Sequence, residues 1–169
     1  MTLQARTVAI GAVLALLACS GDKGTTGPAA SGGMVTAEID GQPWSSVELQ
    51  GDSAAFFGGV PTWFVVGGTD SNATRKAYLS ITVPAYSGPG TYLIGNAASA
   101  AFAAYTVRSP SGTLLQIYQT DDSNHGLIVV SSVDTVGHYA VGTFYFNAAN
   151  GAAPVQVRNG SFHCHVALR

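Results

Sequence analysis

From Met34 onward apolar residues recur at every second position, and that period constrains the fold more than any other feature of the chain. Val35, Ala37 and Ile39 alternate with Thr36, Glu38 and Asp40, and Ala77, Leu79, Ile81 and Val83 with Tyr78, Ser80 and Thr82. Gly142, Phe144, Phe146 and Ala148 share one face of a long segment, opposite Val141, Thr143 and Tyr145. In the last segment Phe162, Cys164, Val166 and Leu168 oppose Ser161, His163, His165 and Ala167. Leu115 and Ile117 alternate with Gln116 and Tyr118, which predicts that the two aliphatics face inward. Strand side chains point to opposite faces in turn, so a period of two marks strands with one buried and one wet face. That pattern belongs to antiparallel sheets.

Turn residues separate these runs. Asp40-Gly41 is a hairpin signal, and Gly88-Pro89-Gly90-Thr91 has the Pro-Gly order of a type II turn. Thr69–Asn72, Ser109–Gly112, Asp121–Asn124 and Asn150-Gly151 are further breaks. The breaks predict strands over 34–40, 44–50, 54–58, 62–68, 76–83, 91–94, 101–108, 113–119, 126–133, 138–148, 154–158 and 160–168, with some merging. The Ala-rich stretch 96–100 is read as a helical turn or loop leading into the 101–108 strand. The expected fold is all-β: a single antiparallel β-sandwich or flattened barrel of about 8–10 strands.

Charge excludes several functions. Seven Lys+Arg stand against nine Asp+Glu, a net charge of −2, and charged residues make up only 9% of the chain. Nucleic-acid surfaces need clustered cations, so no nucleic-acid partner is expected. With 47% hydrophobic residues, the chain is too apolar to be a charged disordered polymer.

The N-terminus carries an address. Arg6 precedes an apolar run of 11 residues, Val8–Ala18, the length of a secretory signal and too short for a spanning helix. Leu16-Leu17-Ala18-Cys19 resembles the lipobox of bacterial lipoproteins, which implies cleavage before Cys19 and acylation of that residue. A plain secretory signal with an incidental Cys is the alternative. Ser20–Gly33 holds five Gly, one Pro and no large apolar side chain, so it is expected to be a flexible tether. The expected organisation is a signal peptide over 1–18, lipidated Cys19 and tether over 19–33, and a β-domain over 34–169. Ser20 after the Cys resembles the default sorting of Gram-negative lipoproteins to the outer membrane, so the expected location is the cell envelope, with the membrane as partner through Cys19.

Four motifs in order carry a further resemblance: Ile39-Asp40-Gly41-Gln42-Pro43-Trp44, Gly88-Pro89-Gly90-Thr91-Tyr92, Gly142-Thr143-Phe144-Tyr145-Phe146 and Asn159-Gly160-Ser161-Phe162. Together they resemble a family of small bacterial lipoproteins of unknown function, over nearly all of Met34–Arg169. The resemblance implies an all-β domain in the envelope and supplies no catalytic residue.

Candidate sites are few. His163 and His165 share one strand face and are close enough to bind one metal ion if His125, His138 or a carboxylate joins them. Cys164 points the other way, as a small buried hydrophobe would. Asp121-Asp122-Ser123-Asn124 offers oxygens for Ca²⁺ but lacks EF-hand spacing. Asp40, Asp52, Asp70 and Asp134 occupy turn positions, and Asn72-Ala73-Thr74 matches a glycosylation sequon of little meaning in a bacterium. No G-x-S-x-G, P-loop, H-E-x-x-H or dinucleotide motif occurs. No catalytic residue, metal or cofactor is therefore expected. The expected function is a non-enzymatic binding or structural module of the envelope, its protein, glycan or small-molecule partner unidentified. The alternatives are a carrier of a small apolar ligand in a barrel cavity or an envelope enzyme.

Overall fold

The computed structural model describes residues 34–46, 53–57, 63–134, 136–151 and 153–168. The signal segment, Cys19 and the tether lie outside these. Among the described residues every regular element is a strand: β1 (Met34–Ile39), β2 (Gln42–Ser45), β3 (Ser53–Phe57), β4 (Trp63–Ser71), β5 (Lys76–Val83), β6 (Gly90–Ile94), β7 (Phe102–Arg108), β8 (Leu114–Gln119), β9 (Gly126–Asp134), β10 (Tyr139–Ala149) and β11 (Pro154–Leu168). They join in one sheet, in the order β2-β1-β11-β3-β4-β5-β7-β8-β10-β9-β6, with β11 also pairing β10. Among the described residues only the short β3–β11 contact is parallel. The sheet curls back on itself where Ala149 of β10 meets Gln119 of β8, but that one pairing does not close it into a barrel.

Local chemistry accounts for the connections. Asp40 and Gly41 both have positive φ, 50° and 75°, which gives the two-residue primed turn whose twist suits a hairpin. Asn96 accepts the Ala98 N–H on its side chain and the Ser99 N–H on its carbonyl, forming the expected turn before β7. The 88–91 reversal differs from expectation. Positive φ falls at Ala85 and Gly88, and Gly90 already begins β6, so no type II turn sits on Pro89-Gly90. The Tyr92 hydroxyl bonds back to the Gly88 carbonyl and accepts the Ser87 N–H, fixing the bend ahead of the proline.

The last two expected strands merge. β11 runs through Asn159, at φ 50°, as a bulge that adds one residue against both β1 and β10. The expected 44–50 strand ends at Ser45, and 47–50 lie outside the described residues.

The core is one cluster drawn from most of the strands, with Phe64, Phe146, Phe162, Leu79, Ile81 and Ile128 almost completely buried. Each such side chain stabilises the fold by roughly 1.5–3 kcal/mol relative to exposure. Two glycines make room for rings: a Cβ on Gly142 would strike the Val129 carbonyl and the Phe162 ring, and one on Gly160 the Phe144 ring. Tyr86 stacks on Phe64 with centroids 5.0 Å apart, and burial, aided by neighbouring Tyr92, pushes its phenol up to about 12.

One expected face is inverted. Leu115 and Ile117 are 56% and 40% exposed, whereas Gln116 and Tyr118 line the inner side. The opposing inner position on β7 is Tyr105, whose ring lies 6.2 Å from that of Tyr118, and this aromatic pair takes the inner face from the aliphatics.

Candidate functional site

The inner side of β7 and β8, together with the β1–β2 hairpin, walls a cleft of about 340 Å³. Ile39, Asp40, Gln42, Pro43 and Trp44 form the hairpin side. Tyr105, Val107, Gln116 and Tyr118 form the sheet side, with Arg75 and Val155 completing the rim. The cleft exists because β8 runs past the end of β10. Before Gln119, β8 pairs only with β7 among the described residues, so its other flank is uncovered.

Local turns hold the polar residues in place. Asn72 Oδ1 accepts the N–H groups of Thr74 and Arg75, each at 2.9 Å, and the Asn72 N–H bonds the Arg75 carbonyl at 2.9 Å. This Asx turn delivers Arg75 at the mouth of β5. Its guanidinium donates to the Tyr105 hydroxyl at 3.0 Å and lies 3.7 Å from Asp70. Burial raises the Tyr105 phenol above its ordinary value, against the smaller opposing pull of Arg75. Tyr118 donates to Gln116 Oε1 at 2.9 Å. Asp40 accepts the Gln156 N–H at 2.8 Å, which ties the hairpin turn to β11. Trp44 is 4% exposed, and its indole Nε1 is buried with no acceptor. Such an orphaned donor costs roughly 1–3 kcal/mol and is uncommon in a settled core.

Apart from the hairpin and the Asp70–Thr74 turn beside Arg75, the residues singled out in the sequence lie elsewhere. His163 and His165 are exposed on β11 as expected, and the fold brings a third histidine to them. The His138 ring stacks on His165 at 5.7 Å, and Tyr139 stands 4.9 Å from His163. Among the described residues, however, no three His, Cys, Asp or Glu side chains are grouped to hold a metal ion. Cys164 is fully buried. Asp121 Oδ1 accepts Ser123 N, Asn124 N and Asn124 Nδ2, and these bonds, led by Asn124, hold its carboxyl below the usual range. Asp122 caps the Ala97 N–H. Both carboxylates are thus occupied in turn structure. Asp134 likewise accepts the N–H groups of Val136 and Gly137, which lower its pKa. Asp70 stands beside Arg75, and Asp52 lies outside the described residues.

Residues 32–164 match a family described as a domain of unknown function, DUF6252. The chain belongs to the DUF6252 family. No curated protein and no solved structure matches it. The match spans the four strand motifs noted above and the cleft lining, so the cleft is a feature of this DUF6252 domain itself.

Sequence reasoning missed Arg75, Tyr105 and Tyr118 as a group. The Asx-turn pattern Asn72-x-Thr74-Arg75 was visible. What hides the group is the β8 alternation, where hydrophobicity alone points Leu115 and Ile117 to the interior.

Proposed function

We propose that this DUF6252 protein is a lipid-anchored component of the bacterial envelope, held by acyl chains on Cys19, whose β-domain is a non-enzymatic recognition module working through the Trp44–Tyr118 cleft. The lipobox-like Leu16–Cys19, the preceding apolar run and the Gly-rich tether support the anchor. More than one acyl chain is needed for stable anchoring, and a lipobox cysteine carries several. Sorting to the outer membrane follows from Ser20 after the Cys.

The observation that carries the recognition reading is the buried indole N–H without an acceptor in the wall of a cleft that also holds a fixed guanidinium. A few placed polar groups among aromatic walls are what small-molecule sites are made of. A carrier would need a hollow interior, and there the rings of Phe64, Phe146 and Phe162 fill the space between strands. The turn aspartates Asp121 and Asp134 spend an oxygen on backbone N–H groups, a structural use rather than acid–base work.

Two measurements test the reading. Labelled palmitate should enter the wild-type chain and not Cys19→Ala, and labelling that survives the substitution rules out the anchor. A small-molecule extract of bacterial envelopes should raise the Tm of wild type and leave that of Arg75→Ala/Tyr118→Ala unmoved. An equal rise in both would place recognition outside the cleft.

A further inference from the structure

The polar groups around the cleft are of mixed kind, and their unused valences indicate what fits there. On the donor side stand the Trp44 indole N–H, which has no acceptor, and the Arg75 N–H groups beyond the one bonded to Tyr105. Gln116 spends its carbonyl on Tyr118, so its amide N–H₂ remains to donate. On the acceptor side, Asp40 commits Oδ1 to Gln156, which leaves its second oxygen. The guanidinium is faced by Asp70 at 3.7 Å, and Asp40 lies on the same rim, so no single sign of charge dominates. Tyr118 is the partly exposed ring of the wall, where Trp44 and Tyr105 are buried.

Three ligand classes fit this set poorly. A phosphate or carboxylate only accepts and would face Asp40. An amine only donates and would face Arg75. A fatty chain would bury the guanidinium and amides without partners, at a cost of roughly 1–3 kcal/mol for each group. Hydroxyl groups both donate and accept, and a ring that carries them also has an apolar C–H face for an aromatic side chain. We propose that the cleft binds a neutral saccharide ring, stacked on Tyr118 and hydrogen-bonded through its hydroxyls to Arg75, Gln116 and Asp40. This rests on the recognition reading above and names its ligand class. The source is either a free sugar or one unit of a surface polysaccharide, which share this chemistry. Trp44 sits on β2, which among the described residues is an edge strand paired with β1 alone.

The test is calorimetric titration of the full-length chain in detergent micelles with maltotriose, cellotriose and chitotriose, beside trigalacturonate, the glucosamine trimer and decanoate. At least one neutral trisaccharide should bind. Tyr118→Ala should weaken it about tenfold, the upper range of one aromatic contact, while Tyr118→Phe keeps most of the affinity. Tyr145→Ala, on an exposed position of β10, should leave it unchanged. If Tyr118→Ala does not fold, Gln116→Leu serves instead and should weaken binding in the same direction. Binding of only the charged trimers or decanoate, or of none of the six, overturns the saccharide assignment. In either case a Tm rise from envelope extract that requires Arg75 and Tyr118 would still stand, so the two readings fail separately. Repeating the titration of whichever trisaccharide binds with a soluble polysaccharide of the same unit separates the sources: tighter binding of the polymer points to a surface glycan, and equal affinity per unit to a free sugar.

Discussion

The β9–β10–β11 region and the β7–β8 region are built from similar strands, yet they solve opposite problems. In the first, β10 is flanked by β9 on one side and β11 on the other for most of its length, and Ala140, Phe144, Phe146 and Ala148 all point inward. In the second, β8 is paired among the described residues by β7 alone over most of its length, its aliphatics face out, and its inner face carries Gln116 and Tyr118. The contrast shows where the domain invests in packing and where it leaves polar groups and space. The half that is closed carries stability. The half that is open carries the cleft.

The largest expected effect lies in the closed half. Phe146→Ala removes a ring with no exposure and should cost about 3–5 kcal/mol in denaturant unfolding. A much smaller loss would mean that β10 does not hold the core and would break the contrast. Gly142→Ala comes next. The new methyl meets the Val129 carbonyl and the Phe162 ring, so overpacking should cost about 1–3 kcal/mol, read from the shift in the denaturant midpoint.

These two predictions concern the part of the fold that was legible in the sequence. Strict alternation through Gly142–Ala148 and Phe162–Val166 placed the rings and Cys164 inside, because an antiparallel strand with both neighbours present must follow its pleat. At β8 the same logic misread the strand. Hydrophobicity ranks Leu115 and Ile117 above Gln116 and Tyr118, but the inner face there is decided by the tyrosine opposite, Tyr105, and by the mouth of the cleft. The cleft itself joins β1, β2, β7, β8 and the turn before β5, a set of neighbours that only the sheet order supplies. Likewise His138 reaches His165 through the β10–β11 pairing, which no local spacing announces.

In the open half, Leu115→Ser and Ile117→Ser should each change stability by less than about 0.5 kcal/mol, since both side chains are already exposed. A loss above about 2 kcal/mol in either would return these residues to the interior and remove the cleft's sheet wall. The smallest effect is electrostatic. Asp134 is held below the ordinary carboxylate range by the Gly137 and Val136 N–H groups. A group with a lowered folded pKa contributes stability in full above its unfolded pKa and loses it as pH falls through the folded value. Asp134→Asn should therefore lower stability slightly at neutral pH and flatten the acid limb of the stability–pH curve. An unchanged acid limb would show that the turn does not depend on the charge.

The proposal that the cleft is a recognition site is tested most directly by nuclear magnetic resonance of the ¹⁵N-labelled chain during titration with the small-molecule fraction of bacterial envelopes. Shifts should concentrate on the Trp44 indole N–H, the Arg75 guanidinium and the amides of Tyr105, Gln116 and Tyr118, with the β9–β10–β11 core unmoved. Shifts centred instead on Tyr139, His163 and His165, with the Trp44 indole signal stationary, would contradict the assignment of function to the open half.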